Sequence, residues 1–533
     1  MTGYIVDIFV GLLLAVAALA LVARKLHIPY PILFVIGGLS LGLIPGLPKV
    51  RLDPELVFLF FLPPLLFPAA LFTSWRDFRA NLRSISLLAI GLVLFTTVVV
   101  AWLALYFFNL PLAVGFVLGA IISPPDAIAA TAIAERLNVP RRIVTILEGE
   151  SLVNDATALI AYRFAVVAVA TGSFSLVRAG GQFLIVGIGG ILVGLVVGWL
   201  AEWFHRHVED ASIEITVSLL TPFAAYLPAE RLGVSGVLAV VTAGLYLGWR
   251  TPEILSYRTR LRAGPIWEMV EFLLNGFVLI LIGLQLPEVL HALSSHTDYS
   301  IGRLVWYAVV ISLAVILIRI LWVFPASYVP RLLFKRIRDS EPCPNWRHVT
   351  IVAWTGMRGV VSLAAALALP LTIPGGSPFP DRELILFLTF IVILVTLVGQ
   401  GLSLPILIRW LGIKDDGATD TEERLARLKA NQAALARLRK IAENDPAKAD
   451  AKQRLCVEYE DRIRQLEATD PESNDAPRRL FSSEYEYLSQ ETLQEERKAI
   501  LQLRNESVIS DEVLRRIQRD IDLAEARLWH PGV

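Results

Sequence analysis

The string EGESLVNDA brings two carboxylates, an amide and a hydroxyl into one short stretch. Glu150 and Asn154 are four residues apart, as are Ser151 and Asp155, so in a helix all four occupy one broad face. A set of oxygen donors of this kind suits a small, hard cation. Glu148 lies one turn earlier, nearer the expected mouth of any such site, and is left outside it. A buried polar network that only stiffens a helix bundle would draw on the same residue types, so both readings stand at this point.

A second polar interruption lies just upstream. In GFVLGAIISPPDAIAATAIA, Pro124 and Pro125 remove two successive backbone donors and clash with the preceding turn, which predicts a broken helix. Asp126 then starts the second half-helix, where the helix dipole favours a negative charge. A simple proline kink with Asp126 as a structural cap is the alternative. Two basic residues sit deep in later apolar runs: Arg319 in ISLAVILIRILWVF, and Arg358 in WTGMRGVVSLAAALAL between Gly356 and Gly359. Buried acids need partners, which predicts an ion pair between Glu150 and Arg319. The flanking glycines predict a second broken helix, with Arg358 compensating the exposed helix C-terminal carbonyls at its break.

The elements that must hold these groups are membrane-spanning. Of the 533 residues, 55% are hydrophobic and only 18% charged, against roughly 25% charged in soluble domains. About two fifths of the residues after Leu411 are charged, against about one eighth before it. The zero net charge averages about +5 over the first part and about −5 over the second. This predicts a transmembrane domain over 1–411 and a charged, cytosolic helical tail over 412–533. Apolar segments near 4–23, 31–47, 55–73, 84–108, 111–134, 143–170, 180–203, 212–228, 233–249, 267–287, 301–329, 349–369 and 384–411 give about thirteen spans. The fold class is therefore all-α and polytopic. Spans five and twelve, and likewise six and thirteen, lie an odd number apart, so matched spans run oppositely, as in an inverted repeat.

Loop charge sets the orientation. One set of alternate loops holds Arg24 and Lys25, then Arg76, Arg79 and Arg83, then Arg136, Arg141 and Arg142, and later the basic run from Arg331 to Arg347. The other set holds little beyond Lys49, Arg51, Arg178, Arg231, Arg303 and Arg382. The positive-inside bias predicts an outside N-terminus and a cytoplasmic tail, with the first span retained as a helix. Cys343 and Cys456, both on the cytoplasmic side, are expected as free thiols. His27, His205, His207 and His348 fall near cytoplasmic ends and read as interfacial side chains.

Taken together, ISPPDAIAATAIAE, EGESLVNDA, FFLPPLLFPAALF and WTGMRGVVSLAAALALP resemble the monovalent cation:proton antiporter-1 family, which includes the Na⁺/H⁺ exchangers. The resemblance covers about 1–411. It implies thirteen spans with crossed broken helices five and twelve, a homodimer in the plasma membrane, and exchange of Na⁺ (or K⁺ or Li⁺) for H⁺ with no cofactor. It also implies roles: Asp155 as the ion- and proton-binding carboxylate, Asn154 beside it and Ser151 as a cation ligand. Asp126 would belong to the crossover, with the Pro125 carbonyl as a further ligand. Glu150 and Arg319 would be the structural ion pair, and Arg358 the second crossover charge. One position departs from the pattern: Pro68 stands where many relatives carry an acid after the LPP motif. The Asn154–Asp155 pair, with one carboxylate, implies electroneutral exchange.

On that reading, partial burial penalises a bare ionised Asp155, so protons and cations compete for it. Other classes fit less well. An intramembrane enzyme of the metal-dependent kind would want HExxH or DDxxD, and a potassium channel TVGYG; none occurs. The GIGGILVG string at 187–194 lies inside a span and reads as packing, and nothing suggests nucleic-acid binding. In the tail, EERLARLKANQAALARLRKIAE and EVLRRIQRDIDLAEARLW predict amphipathic helices, in a hairpin or coiled coil, separated by breaks near 444–447 and 469–477.

Overall fold

The computed structural model describes residues 2–468 except 27–28, 45–56, 138, 173–175, 209, 297–299, 341–342, 374–375, 414–416 and 442–448, and beyond them 492–500 and isolated positions up to 524. Lys49, Arg51, His27, the breaks at 444–447 and 469–477 and most of 512–529 lie outside the described residues. So does the side chain of Arg178. The chain divides into two units, Met1–Asp415 and Asp416–Val533.

Over its described residues the first unit is built of helices joined by turns and irregular stretches, with one isolated bridge between Thr372 and Pro378 and two short helices, Trp75–Ala80 and Lys335–Ser340, besides the longer ones. Its helices are α1 Thr2–Leu26, α2 Tyr30–Gly42, α3 Leu62–Phe72, α4 Leu82–Phe108, α5 Leu112–Ile122, α6 Ile128–Arg136, α7 Arg141–Thr171 and α8 Leu176–His205. There follow α9 Ala211–Arg231, α10 Gly236–Ile254, α11 Tyr257–His296, α12 Ile301–Leu333, α13 Trp346–Trp354, α14 Val360–Leu367 and α15 Arg382–Leu411. Over the described residues, each predicted apolar segment overlaps one of these helices or a consecutive pair; 45–47 and 55–56 of the second and third segments lie outside the described residues. Among the described residues, eight stretches are long and apolar enough to cross a membrane alone. The shorter α2, α3 and α5 are equally apolar.

The helices sort into two packing groups. In one, α10 is the hub for α3, α8 and α9, while α2 lies along α11. In the other, α5 packs on α4 and α7, α13 on α12, and α14 on α15. Small residues allow the closest contacts, as van der Waals packing between membrane helices requires. A Cβ at Gly190 of α8 would lie 2.5 Å from the Ser235 carbonyl at the start of α10, and one at Gly38 would strike the Ile280 carbonyl of α11. Gly190 and Gly194 of the GIGGILVG string are thus buried in the α8–α10 contact, while Ile188, Ile191 and Leu192 stay exposed.

Two predicted spans are interrupted. Span five consists of α5 and α6 with an irregular stretch between, and span twelve of α13 and α14 likewise. The breaks touch: the Asp126 amide donates to the Met357 carbonyl at 2.7 Å. Irregular backbone at membrane depth is tolerated where protein groups satisfy it, which is the case here.

In the second unit, α16 Ala418–Ile441 and α17 Ala449–Ala468 form an antiparallel pair. Arg439 reaches Glu460 at 2.9 Å and Arg424 donates to the Leu466 carbonyl at 3.3 Å. Both cysteines are free thiols.

Candidate functional site

The site forms where the crossing breaks meet α7. Pro124 and Pro125 end α5 and leave its last carbonyls without helical partners. Arg358 meets them: its Nε donates to the Ile122 carbonyl at 2.9 Å, and its Nη1 donates to the Gly356 carbonyl of its own break. Its backbone amide donates to Thr396 Oγ1 at 3.1 Å. With the side chain 2% exposed, this cation stands at the negative end of a helix dipole. The expectation placed Arg358 at its own break; it also serves the break of span five.

Asp126 occupies the opposite ends. Its Oδ1 accepts from the Ile128 amide at 2.9 Å, at the start of α6, and the Val360 amide at the start of α14 also donates to the carboxylate. One anion thus faces two half-helix N-termini, each a natural anion site. Gly359 has to be glycine for this approach, because a Cβ there would collide with Asp126 Oδ2.

On α7, Asn154 is fully buried and its Nδ2 donates to the Pro125 carbonyl at 2.7 Å. Ser151 Oγ accepts from the Ala127 amide at 3.4 Å. Both residues therefore clamp the broken stretch to α7. Glu150 turns away from this contact and pairs with Arg319 of α12 through two bonds, at 2.5 and 2.8 Å. Arg319 Nε donates in addition to the Val352 carbonyl near the end of α13, at 3.1 Å.

Asp155 is 6% exposed. It lines a cavity of about 430 Å³ together with Ser151 and Asp126. Thr131, Glu135, Glu148, Glu268 and Glu271 line the same cavity, and Pro68 forms part of its wall. An adjoining cavity of about 610 Å³ shares Tyr30, Ala132 and Phe272 with it and reaches Arg24, Arg136 and Arg409. The cavity at Asp155 therefore continues toward the end of the bundle that bears these arginines.

The predicted residues fall into two places. Asp126, Pro125, Ser151, Asn154 and Asp155 converge at the break and the cavity, whereas Glu150, Arg319 and Arg358 lie behind them in protein. Glu148, which the sequence reading leaves outside the site, lines the cavity. Its spacing from Ser151 and Asp155, three and then four residues, was the signal for a shared helix face. Glu268 and Glu271 gave only the weaker signal of acids at the edge of an apolar run.

A carboxylate on the wall of a cavity, with hydroxyl and carbonyl oxygens beside it, can hold a monovalent cation or a proton. The comparisons agree with that chemistry. The family described as "Sodium/hydrogen exchanger, transmembrane" matches residues 11–410. A Mycobacterium tuberculosis protein named an uncharacterized Na⁺/H⁺ exchanger is 37% identical over 98% of this chain and 96% of its own. The sodium, potassium, lithium and rubidium/H⁺ antiporter of Bacillus subtilis is 36% identical over 75% of this chain and 61% of its own. The Na⁺/H⁺ antiporter ApNhaP of Aphanothece halophytica is 33% identical over 78% and 76%. Among solved structures, the sodium proton antiporter MjNhaP1 of Methanocaldococcus jannaschii shares the fold, with a TM-score of 0.60 at 21% identity over 76% of this chain and 98% of that one. These are transporters and not enzymes, and the chain is an integral, multi-pass member of the transmembrane sodium/hydrogen exchanger family.

Proposed function

We propose that the protein exchanges Na⁺ for H⁺ at Asp155, one for one. The observation that carries this reading is the placement of Asp155: nearly buried, yet on the wall of an acidic funnel, with Ser151 one turn away on the same helix face. In one direction the carboxylate releases Na⁺ and takes up H⁺; in the other it does the reverse. Either occupant compensates its charge, so a loaded site can cross the apolar barrier while a bare carboxylate resists. Ser151 Oγ and the Pro125 carbonyl supply further oxygens for the cation. Asn154 ligates or positions without adding a second titrating charge. Glu150, Arg319 and Arg358 are structural.

The bundle end carrying Arg24, Arg136 and Arg409 is the cytoplasmic one, by the positive-inside bias. The funnel then faces the cytoplasm, the N-terminus lies outside, and the membrane is the plasma membrane. The working unit is a homodimer. A second reading, exchange of K⁺ as well as Na⁺, is favoured by Pro68: at that position after the LPP motif no carboxylate is available to tighten the cage around the smaller ion, and the Bacillus subtilis relative is named for several cations.

The test is reconstitution with an internal pH dye while Na⁺, K⁺ and Li⁺ are added in turn. Cation-driven proton movement is expected in the native protein and not in Asp155→Asn. Robust coupled movement in that variant would overturn the assignment.

A further inference from the structure

Glu268, Glu271, Asn275 and Leu279 follow one another on α11 at spacings of three and four, so they lie along one face. The first two line the wide cavity; Asn275 and Leu279 line a separate chamber of about 10 Å³ deeper in the bundle. Asp126 belongs to the wall of both. Asn275 is fully buried, and neither its Oδ1 nor its Nδ2 has a hydrogen-bond partner among the described residues. A buried amide left in this condition carries its whole desolvation penalty, so its presence calls for a partner.

The chamber limits what that partner can be. Its volume is close to the roughly 10–15 Å³ needed for a single water. Its remaining walls are apolar side chains and backbone, including Pro31, Ala129 and Leu397, so Asn275 and Asp126 are its polar side chains. We propose that Asn275 is a positioning residue of the exchange site: its amide holds one water in this chamber, and that water hydrogen-bonds the Asp126 carboxylate, tying α11 to the crossover. Nδ2 donates to the water, and the water donates to Asp126, whose other donors are the Ile128 and Val360 amides.

The link acts on the ion site through the broken stretch. Asp126 fixes the orientation of the chain that presents the Pro125 carbonyl to Asn154 and the Ala127 amide to Ser151. Loosening it misplaces oxygens around the cation, which appears in apparent affinity before it appears in maximal rate. This inference rests on the exchange reading above for its kinetic consequence, but the water itself does not.

The experiment compares Asn275→Leu and Asn275→Ser in proteoliposomes and determines a map of the native protein in which waters are resolved. Asn275→Leu is expected to fold and to melt close to the native protein, because a leucine of similar volume fills the chamber and the water leaves with the amide. It should raise the half-maximal Na⁺ concentration about fivefold or more. Asn275→Ser, which keeps a hydroxyl and leaves room for water, should stay within about twofold of the native value. Unchanged affinity in Asn275→Leu, or an equal loss in both variants, overturns the proposal, since size alone would then matter. A map without a water between Asn275 and Asp126 overturns it even if Asn275→Leu does not fold. A native protein that fails to exchange cations at all defeats the exchange reading, while the map still decides the water.

Discussion

Arg319 holds Glu150 through both terminal nitrogens, at 2.5 and 2.8 Å, while its Nε reaches the Val352 carbonyl. Both residues are 1% exposed. The pair joins α7, which carries the candidate site, to α12 and to the end of the broken helix α13. A bidentate geometry with the third donor satisfied is the case in which a buried ion pair is held well, and in which losing one partner is most damaging.

Glu150→Ala is therefore expected to destabilise the protein by about 3–5 kcal/mol, because it leaves a buried guanidinium uncompensated. Thermal melting in detergent measures it. The double variant Glu150→Leu/Arg319→Met should recover much of the loss. A double variant no more stable than Glu150→Ala would contradict the account.

Crowding at the crossover gives a second expectation. Gly359→Ala drives a methyl into Asp126 Oδ2 and should cost roughly 1–3 kcal/mol as an overpacked site, with transport lost disproportionately. Gly187→Ala is the control, since its Cβ would meet only Leu238 Cδ1 at 3.8 Å. Equal effects of the two on exchange would argue against a crowded crossover.

Competition at one carboxylate fixes the sign of the pH dependence. Protons exclude the cation, so on the acid side each unit fall in pH should raise the half-maximal Na⁺ concentration about tenfold, and raising the pH should lower it. Initial rates over a grid of Na⁺ and pH test this. A maximal rate that falls with pH at constant half-saturation would mean separate sites.

On the proposed exchange reading, the funnel carboxylates concentrate cations without being ligands. Glu148→Gln and Glu271→Gln should each raise the half-maximal Na⁺ concentration about threefold at low ionic strength, and the effect should shrink in high salt as screening sets in. Impermeant-salt titration of transport separates this from direct ligation, which salt would leave in place.

Much of this arrangement could be read in the sequence, because its causes are local. Pro124 and Pro125 break a helix wherever it lies, and the four-residue spacings of Glu150, Ser151, Asn154 and Asp155 define a face before any packing is known. Arg319 was a candidate for Glu150 because deep cations are few. What could not be read depends on which distant backbone comes near. Arg358 serves the Ile122 carbonyl of another broken span, 236 residues away. Asn275 sits in an otherwise ordinary apolar helix, and nothing in its neighbours marks its amide as unpartnered. Pro68 could be identified as a departure, but only the fold places it on the cavity wall beside Glu148 and Glu271.

The carboxylate of Asp126 is shared by two chain interruptions that lie more than two hundred positions apart. They cannot be tuned separately: shifting one drags the other. If exchange moves this part of the bundle, as the proposed function requires, the two interruptions travel together as one joint.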